Sequence, residues 1–202
     1  MSAESERIFF PLLKRQDSYP IKPDGSFYIY TYYREHIAQD CAHRCVYCDA
    51  LADEVGGAEA MQLDHFRPES FDEFGHLINN PRNLHYACGR CNLLKSNHWP
   101  ARGIDAPHNG KDGFIDPFDD DRLAYFEISL NGEIRAIKSP ATYVIRLLRL
   151  DREFLRKLRE LRILKSRWRK KVTDIRRMAE AGKLPHPKEL AETLAAIEAL
   201  LA

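Results

Sequence analysis

Two cysteine pairs, Cys45-Val46-Tyr47-Cys48 and Cys88-Gly89-Arg90-Cys91, constrain the fold of this chain more than any other feature. Thirty-nine residues separate them. Each Cys-x-x-Cys pair turns two sulfurs towards one point. Two such knuckles complete a tetrahedral shell with Zn–S bonds of about 2.3 Å. Four thiolates close the shell to water, so the pattern predicts a structural zinc held by Cys45, Cys48, Cys88 and Cys91. Its expected role is to staple a loop-rich block whose own core is thin. The fifth cysteine, Cys41, is expected to be a buried apolar thiol.

Between the pairs lies Leu63-Asp64-His65-Phe66-Arg67-Pro68, read as a strand over Ala60–Phe66 ended by Pro68. Adjacent residues of a strand point to opposite sides, but a strand end or bulge lets both Asp64 and His65 reach one pocket. A carboxylate suits a hard divalent cation such as Mg²⁺ or Mn²⁺. A neutral imidazole suits a general base near pH 7. Phosphodiester hydrolysis needs both, a base to activate water and a cation to stabilise the charge on phosphorus and on the leaving oxygen. Asn92 offers a second oxygen ligand at the start of a short helix over Gly89–Asn97. Lys95 and Ser96 fall one turn further along the same face, where they are expected to hold a phosphate, as is Arg67 through its guanidinium fork.

The net charge of +1 conceals an asymmetry. From Asp40 to Glu73 there are nine acidic residues against two basic ones, whereas from Val144 to Arg177 there are fourteen Lys and Arg against four acidic residues. The acidic stretch carries the candidate metal ligands, and the basic one is expected to attract an anionic polymer. Ser26–Tyr33 is aromatic and β-prone, or begins a helix through Gln39. Glu69–Pro81 and the Gly-, Pro- and Asp-rich Ala101–Asp121 read as loops. The segments flanking Asn131-Gly132 read as a β-hairpin with a type I′ turn. Helix is expected from Ala141, with a break near Asp151 capping a second helix to about Ala181, and a short amphipathic helix over Lys188–Ala202. The start of the chain is acidic, and no apolar run approaches roughly 18 residues. Neither a secretory leader nor a membrane span is therefore expected. The cytoplasm is the expected compartment, where metal-bound thiolates are favoured over disulfides.

Asp64-His65, then Asn83, then Asn92 nine residues on, resembles the HNH endonuclease motif of the ββα-metal fold. The flanking Cys-x-x-Cys pairs resemble the zinc-stapled, treble-clef-like branch of that superfamily. The resemblance implies Asp64 as metal ligand, His65 as general base, Asn83 as the residue that orients the base, and Asn92 as second ligand. The last position holds Asn where the family name promises His, so an amide oxygen takes the place of an imidazole. More faintly, Phe114–Pro117, the Asn131-Gly132 hairpin and the helix past Leu150-Asp151 are similar to small HNH proteins of bacterial antiphage systems, of Septu type or retron-associated.

The fold class expected is α+β: a ββα-metal core with a four-cysteine zinc, a β-hairpin and a basic C-terminal helical region. Its boundaries are an N-terminal segment at 1–40, the core at 41–100, loop and hairpin at 101–140 and the basic helices at 141–202. Arg146, Arg149, Arg152, Arg156, Arg159 and Arg162 recur every three or four residues beside an apolar stripe. Of these, Arg149, Arg152, Arg156 and Arg159 join Arg67 and Lys95 as expected nucleic-acid contacts. The function these expectations describe is metal-dependent cleavage of DNA, with RNA as a further substrate class and a companion ATPase as partner. The alternative is a non-catalytic zinc module that binds nucleic acid or scaffolds a complex.

Overall fold

The computed structural model describes residues 7–101, 103, 106–183, 190, 192–195 and 197. Its organising unit is an antiparallel strand pair followed at once by a helix. Strand β1, Met61–His65, pairs with β2, Leu84–Cys88, with Met61 opposite Cys88 and His65 opposite Leu84. Helix α2, Gly89–Lys95, starts where β2 ends and packs on both strands. Every residue of β2 is buried, because helix α1, Arg34–Asp40, also packs against it. The aromatic run before α1 takes the helical course, with a 3₁₀ turn at Tyr30–Tyr33 leading directly into it. The Tyr33 hydroxyl, buried beneath that turn, donates to the Pro20 carbonyl at 2.8 Å.

Between β1 and β2 the segment read as loop contains a 3₁₀ stretch, Asp72–Leu77, whose Phe74 is fully buried against Trp99. The stretch 101–121 is likewise more than a surface loop. Phe114 is fully buried and stacks on Trp99 at 6.3 Å between ring centroids. One apolar cluster draws on the N-terminal segment (Phe9, Phe10, Leu13), the strand pair, the hairpin (Phe126, Ile134) and the helices (Val144, Leu148, Leu155). Arg122 is buried and ties two of these parts together, donating to the carbonyls of Val46 at 2.8 Å and Pro11 at 3.0 Å.

The hairpin forms from β3, Phe126–Ile128, and β4, Ile134–Ala136, but its turn is not type I′. Gly132 N–H donates to Ser129 O and Ser129 N–H to Glu133 O, both at 2.9 Å, which closes a three-residue loop. Gly132 alone of that loop has positive φ, +79°, whereas type I′ requires it at two consecutive residues. Tertiary packing selects this geometry. A Cβ at Gly132 would stand 2.1 Å from the Arg156 carbonyl oxygen, so the tip of the hairpin lies directly on a helix backbone. Gly132→Ala is therefore expected to destabilise the protein by about 2 kcal/mol or more, read as a lower urea midpoint.

Helix α3, Ala141–Leu148, ends with Arg149 in the left-handed region, and α4, Glu153–Glu180, follows. The break falls where expected, but Asp151 does not cap α4. The N-cap is Arg152, with no side-chain cap bond, and Leu150 is fully buried at the corner. The helix expected over Lys188–Ala202 lies largely outside the described residues. Of it, Leu190, residues 192–195 and Ile197 are helical, and Leu194 is buried. Among the described residues, no helix is long and apolar enough to cross a membrane.

Candidate metal centre and candidate active site

The knuckles meet because β1 and β2 bring Cys88 beside the turn at Cys45–Cys48. Val46 N–H donates to the Tyr86 carbonyl at 3.0 Å, and the turn closes on itself through Asp49 N–H to Cys45 O at 2.9 Å. The four sulfurs of Cys45, Cys48, Cys88 and Cys91 lie within 4.8 Å of one another, all buried. Cys48 Sγ and Cys88 Sγ are 3.8 Å apart. That is the edge of a tetrahedron with bonds of about 2.3 Å, so the donor set fits a structural zinc. Hydrogen bonding within the cluster lowers Cys88 and raises Cys48 and Cys91, so the four thiols share their protons closely. Cys41 is buried outside the cluster, and burial pushes its thiol up to about 12.

Arg152, Arg159 and Arg162 of the basic stripe turn inward. Arg152 places Nη2 3.8 Å from Cys91 Sγ and donates to the Leu148 carbonyl at 2.8 Å. Arg162 pairs with Asp49 at 2.9 Å and with Glu54. Arg159 is 4% exposed and donates to the carbonyls of Gly132 at 2.7 Å and Leu150 at 2.9 Å, so it is out of reach of a phosphate. Arg156 pairs with Glu153 at 2.7 Å and donates to Asn131 O. Arg152, Arg156 and Arg159 thus fasten α4 to the hairpin, to the helical corner and to the cysteine cluster, where sequence periodicity suggested a face for nucleic acid. Arg149 remains exposed.

Asp64 and His65 do reach one cleft, of about 340 Å³, whose lining also includes Tyr30, Glu69, Asn92 and Ser96. The pocket forms at the end of β1, where the chain turns away after His65. His65 Nε2 is 2.9 Å from the Ile78 carbonyl oxygen. A carbonyl only accepts, so Nε2 carries the proton, and the neutral ring keeps its lone pair on Nδ1. Nδ1 lies 3.6 Å from a Glu69 carboxylate oxygen, and the Tyr30 ring meets the imidazole edge-on at 4.9 Å. The residue expected to hold this ring acts elsewhere. Asn83 accepts from Arg67 N–H at 2.9 Å and donates to Arg67 O at 3.1 Å, clamping the backbone just past His65. It steadies the strand end, while Ile78 fixes the imidazole.

Asp64 is 5% exposed at the base of the cleft. Tyr47 donates its hydroxyl to Oδ2, and Lys95 Nζ lies 3.0 Å from Oδ1. Burial pushes this carboxyl above the usual range, although the Lys95 ammonium and the Tyr47 hydroxyl pull it back. Lys95, expected to face a phosphate, is fully buried and also donates to His65 O at 2.8 Å. It sits four residues after Cys91, so it shares the inward face of α2. Lys95→Ala leaves a buried carboxylate without its ammonium. The expected cost is about 3–5 kcal/mol, measurable by denaturant unfolding. Asn92 donates Nδ2–H to Gln62 Oε1 at 2.7 Å, and among the described residues its Oδ1 accepts no hydrogen bond. Arg67 holds its guanidinium 5.7 Å from the Trp99 ring centre.

His85, across the strand pair from Asp64, is fully buried rather than in the cleft, and burial holds its imidazole well below the usual range. Sequence reasoning missed Tyr30, Tyr47, Glu69 and the Ile78 carbonyl. The aromatic run around Tyr30 was its nearest signal, and a backbone carbonyl leaves none.

The described residues thus form a mixed α+β protein with two small antiparallel sheets and a four-cysteine cluster suited to a metal ion. Over 56 residues it is 39% identical to the Septu protein PtuB of Bacillus thuringiensis, a stretch covering 28% of this chain and 20% of that protein. No family model matches the chain.

Proposed function

We propose that this protein is a metal-dependent endonuclease of HNH type that hydrolyses phosphodiester bonds, with DNA as its substrate. One observation carries the reading. His65 is anchored through Nε2 on the Ile78 carbonyl, so Nδ1 is the basic nitrogen, in a cleft also lined by Asp64 and Asn92.

The donor set suits a hard divalent cation. Asp64 keeps acceptor capacity beyond its bonds to Tyr47 and Lys95, since a carboxylate has about four lone-pair sites. Among the described residues the Asn92 amide oxygen accepts no hydrogen bond. These two residues would hold Mg²⁺ or Mn²⁺, which supplies charge stabilisation for the phosphate and the leaving oxygen. His65 Nδ1 takes the proton of the water whose oxygen attacks phosphorus. The resulting imidazolium keeps Nε2–H on Ile78 and gains the nearby Glu69 carboxylate as counter-charge. Tyr47 and Lys95 keep Asp64 in one orientation, and Asn83 clamps the chain next to the base.

The likeness to the Septu protein PtuB supports a place in a Septu-type antiphage system, as an effector acting beside a companion ATPase. The deciding assay incubates the protein with double-stranded DNA, single-stranded DNA and RNA in parallel, in Mg²⁺ or Mn²⁺, beside the His65→Ala variant. Cleavage of DNA by the wild type alone is the expected result. No cleavage of any of the three, with or without the partner, would favour a non-catalytic zinc module.

A further inference from the structure

The hydrolytic cleft does not end at His65. A second chamber of about 360 Å³ adjoins it, lined by Tyr30, Thr31, Arg34, Gln62, Leu63 and Asn92. Tyr30, Leu63 and Asn92 line both chambers, so a ligand in one lies beside a ligand in the other. Three elements build the walls. Tyr30, Thr31 and Arg34 come from the 3₁₀ turn and the start of α1, Gln62 and Leu63 from β1, and Asn92 from α2.

The lining suits a nucleobase and its phosphate. Tyr30 supplies a ring, held from below by its N–H bond to Asn79 Oδ1 at 3.0 Å. That ring meets the His65 imidazole edge-on at 4.9 Å, a contact that covers at most one of its two faces. Among the described residues the Tyr30 hydroxyl makes no hydrogen bond, so the aromatic body is what the residue contributes to the wall. Leu63 adds apolar surface. Gln62 accepts from Asn92 through Oε1 at 2.7 Å, and among the described residues its Nε2 makes no hydrogen bond, which leaves a donor for the edge of a base. Arg34 donates through Nη2 to the carbonyls of Ala58 and Met61, both at 2.7 Å, and among the described residues no carboxylate pairs with it. No carboxylate lines the chamber, so its one charged group favours an anion. Every base has a π-face, so stacking on an aromatic side chain adds affinity without sequence preference. In a duplex those faces are covered by neighbouring base pairs. A protein ring reaches them where the strand is unpaired.

We propose that this chamber holds the base of the nucleotide next to the phosphate in the hydrolytic cleft, stacked on the Tyr30 ring, so that the protein takes an unpaired strand of DNA. The proposal deepens the nuclease reading and rests on it for the class of ligand; the chamber itself rests on its position and on the chemistry of its lining. Tyr30 is then a residue that sets specificity for strand state, while Arg34 holds the phosphate of the stacked nucleotide.

The test is binding of fluorescent DNA followed by anisotropy in Mg²⁺, in the His65→Ala background so that cleavage does not interfere. The probes are a short single strand, the same strand made abasic throughout, and a fully paired duplex of equal length. The parent is expected to prefer the base-bearing strand to the abasic one about tenfold, a comparison that needs no change at Tyr30. Tyr30→Ala is expected to weaken binding of the base-bearing strand by a similar factor and to leave the abasic strand and the duplex nearly unchanged. Tyr30→Phe keeps the ring and is expected to bind all three as the parent does. Circular dichroism and the melting temperature check that both variants fold. Equal weakening by Tyr30→Ala on the base-bearing and abasic strands overturns the proposal, because the ring then supports the cleft rather than a base. So does an equal loss in Tyr30→Phe, no preference for bases in the parent, or no measurable binding of the single strand. A ring-dependent preference for bases that persists when the wild type cleaves nothing supports the chamber and rejects the hydrolytic reading. Cleavage by the wild type with no such preference rejects the chamber alone.

Discussion

His65→Ala is expected to lower DNA cleavage by about 10²–10⁴-fold, the usual contribution of a positioned general base. The side chain is 10% exposed and makes one hydrogen bond, to a backbone carbonyl. Its removal opens the cleft without leaving a charge unpaired, so folding and duplex affinity are expected to stay close to wild type. Circular dichroism and binding anisotropy measured beside the cleavage rate make the separation visible. Full retained activity in the alanine variant would sink the assignment of His65 as base. A parallel collapse of the fold would instead mean that the imidazole is a structural wedge between Tyr30 and the Ile78 carbonyl.

Cys48→Ser and Cys91→Ser are expected to release zinc and lower the melting temperature by roughly 10 °C or more. The reason lies in what depends on the cluster. The knuckle carries Val46, whose carbonyl holds buried Arg122, and Asp49, which pairs with Arg162 of α4. Losing the ion frees the turn at Cys45–Cys48 and, through it, the attachment of the N-terminal segment and of the long helix. Zinc content of the purified variants, together with melting of the wild type in a strong chelator, checks the claim. Variants that are zinc-free yet melt like the wild type would refute a stabilising metal.

How much was legible in the sequence depended on how local each feature is. The cysteine spacing and the Asp64-His65 dipeptide are short-range patterns, and they located both clusters. Lys95 was misread because its spacing from Asn92 suggested an outward face, while its spacing from Cys91, one residue earlier, set the inward one. Arg162 of the stripe was hidden for a longer-range reason. Its acidic partners Asp49 and Glu54 lie more than 100 positions away, in the stretch whose excess of carboxylates suggests metal ligands. The charge asymmetry is thus partly an internal complementarity between the two halves of the chain. The hairpin was visible from Asn131-Gly132, but its turn geometry was decided by the Arg156 backbone against which it packs.

The hold on His65 has a consequence for how such a chain tolerates change. Its anchor is the main-chain oxygen of residue 78, which any amino acid supplies. Substitution at that position can alter every side-chain atom and still leave the acceptor in place. Substitution of Ile78 is therefore expected to be silent for the reaction while the chain keeps its path. A one-residue insertion or deletion there is not silent, because it moves the oxygen. At residue 78 length, rather than identity, is under constraint, and single-residue deletions between Gly75 and Asn80 would expose it.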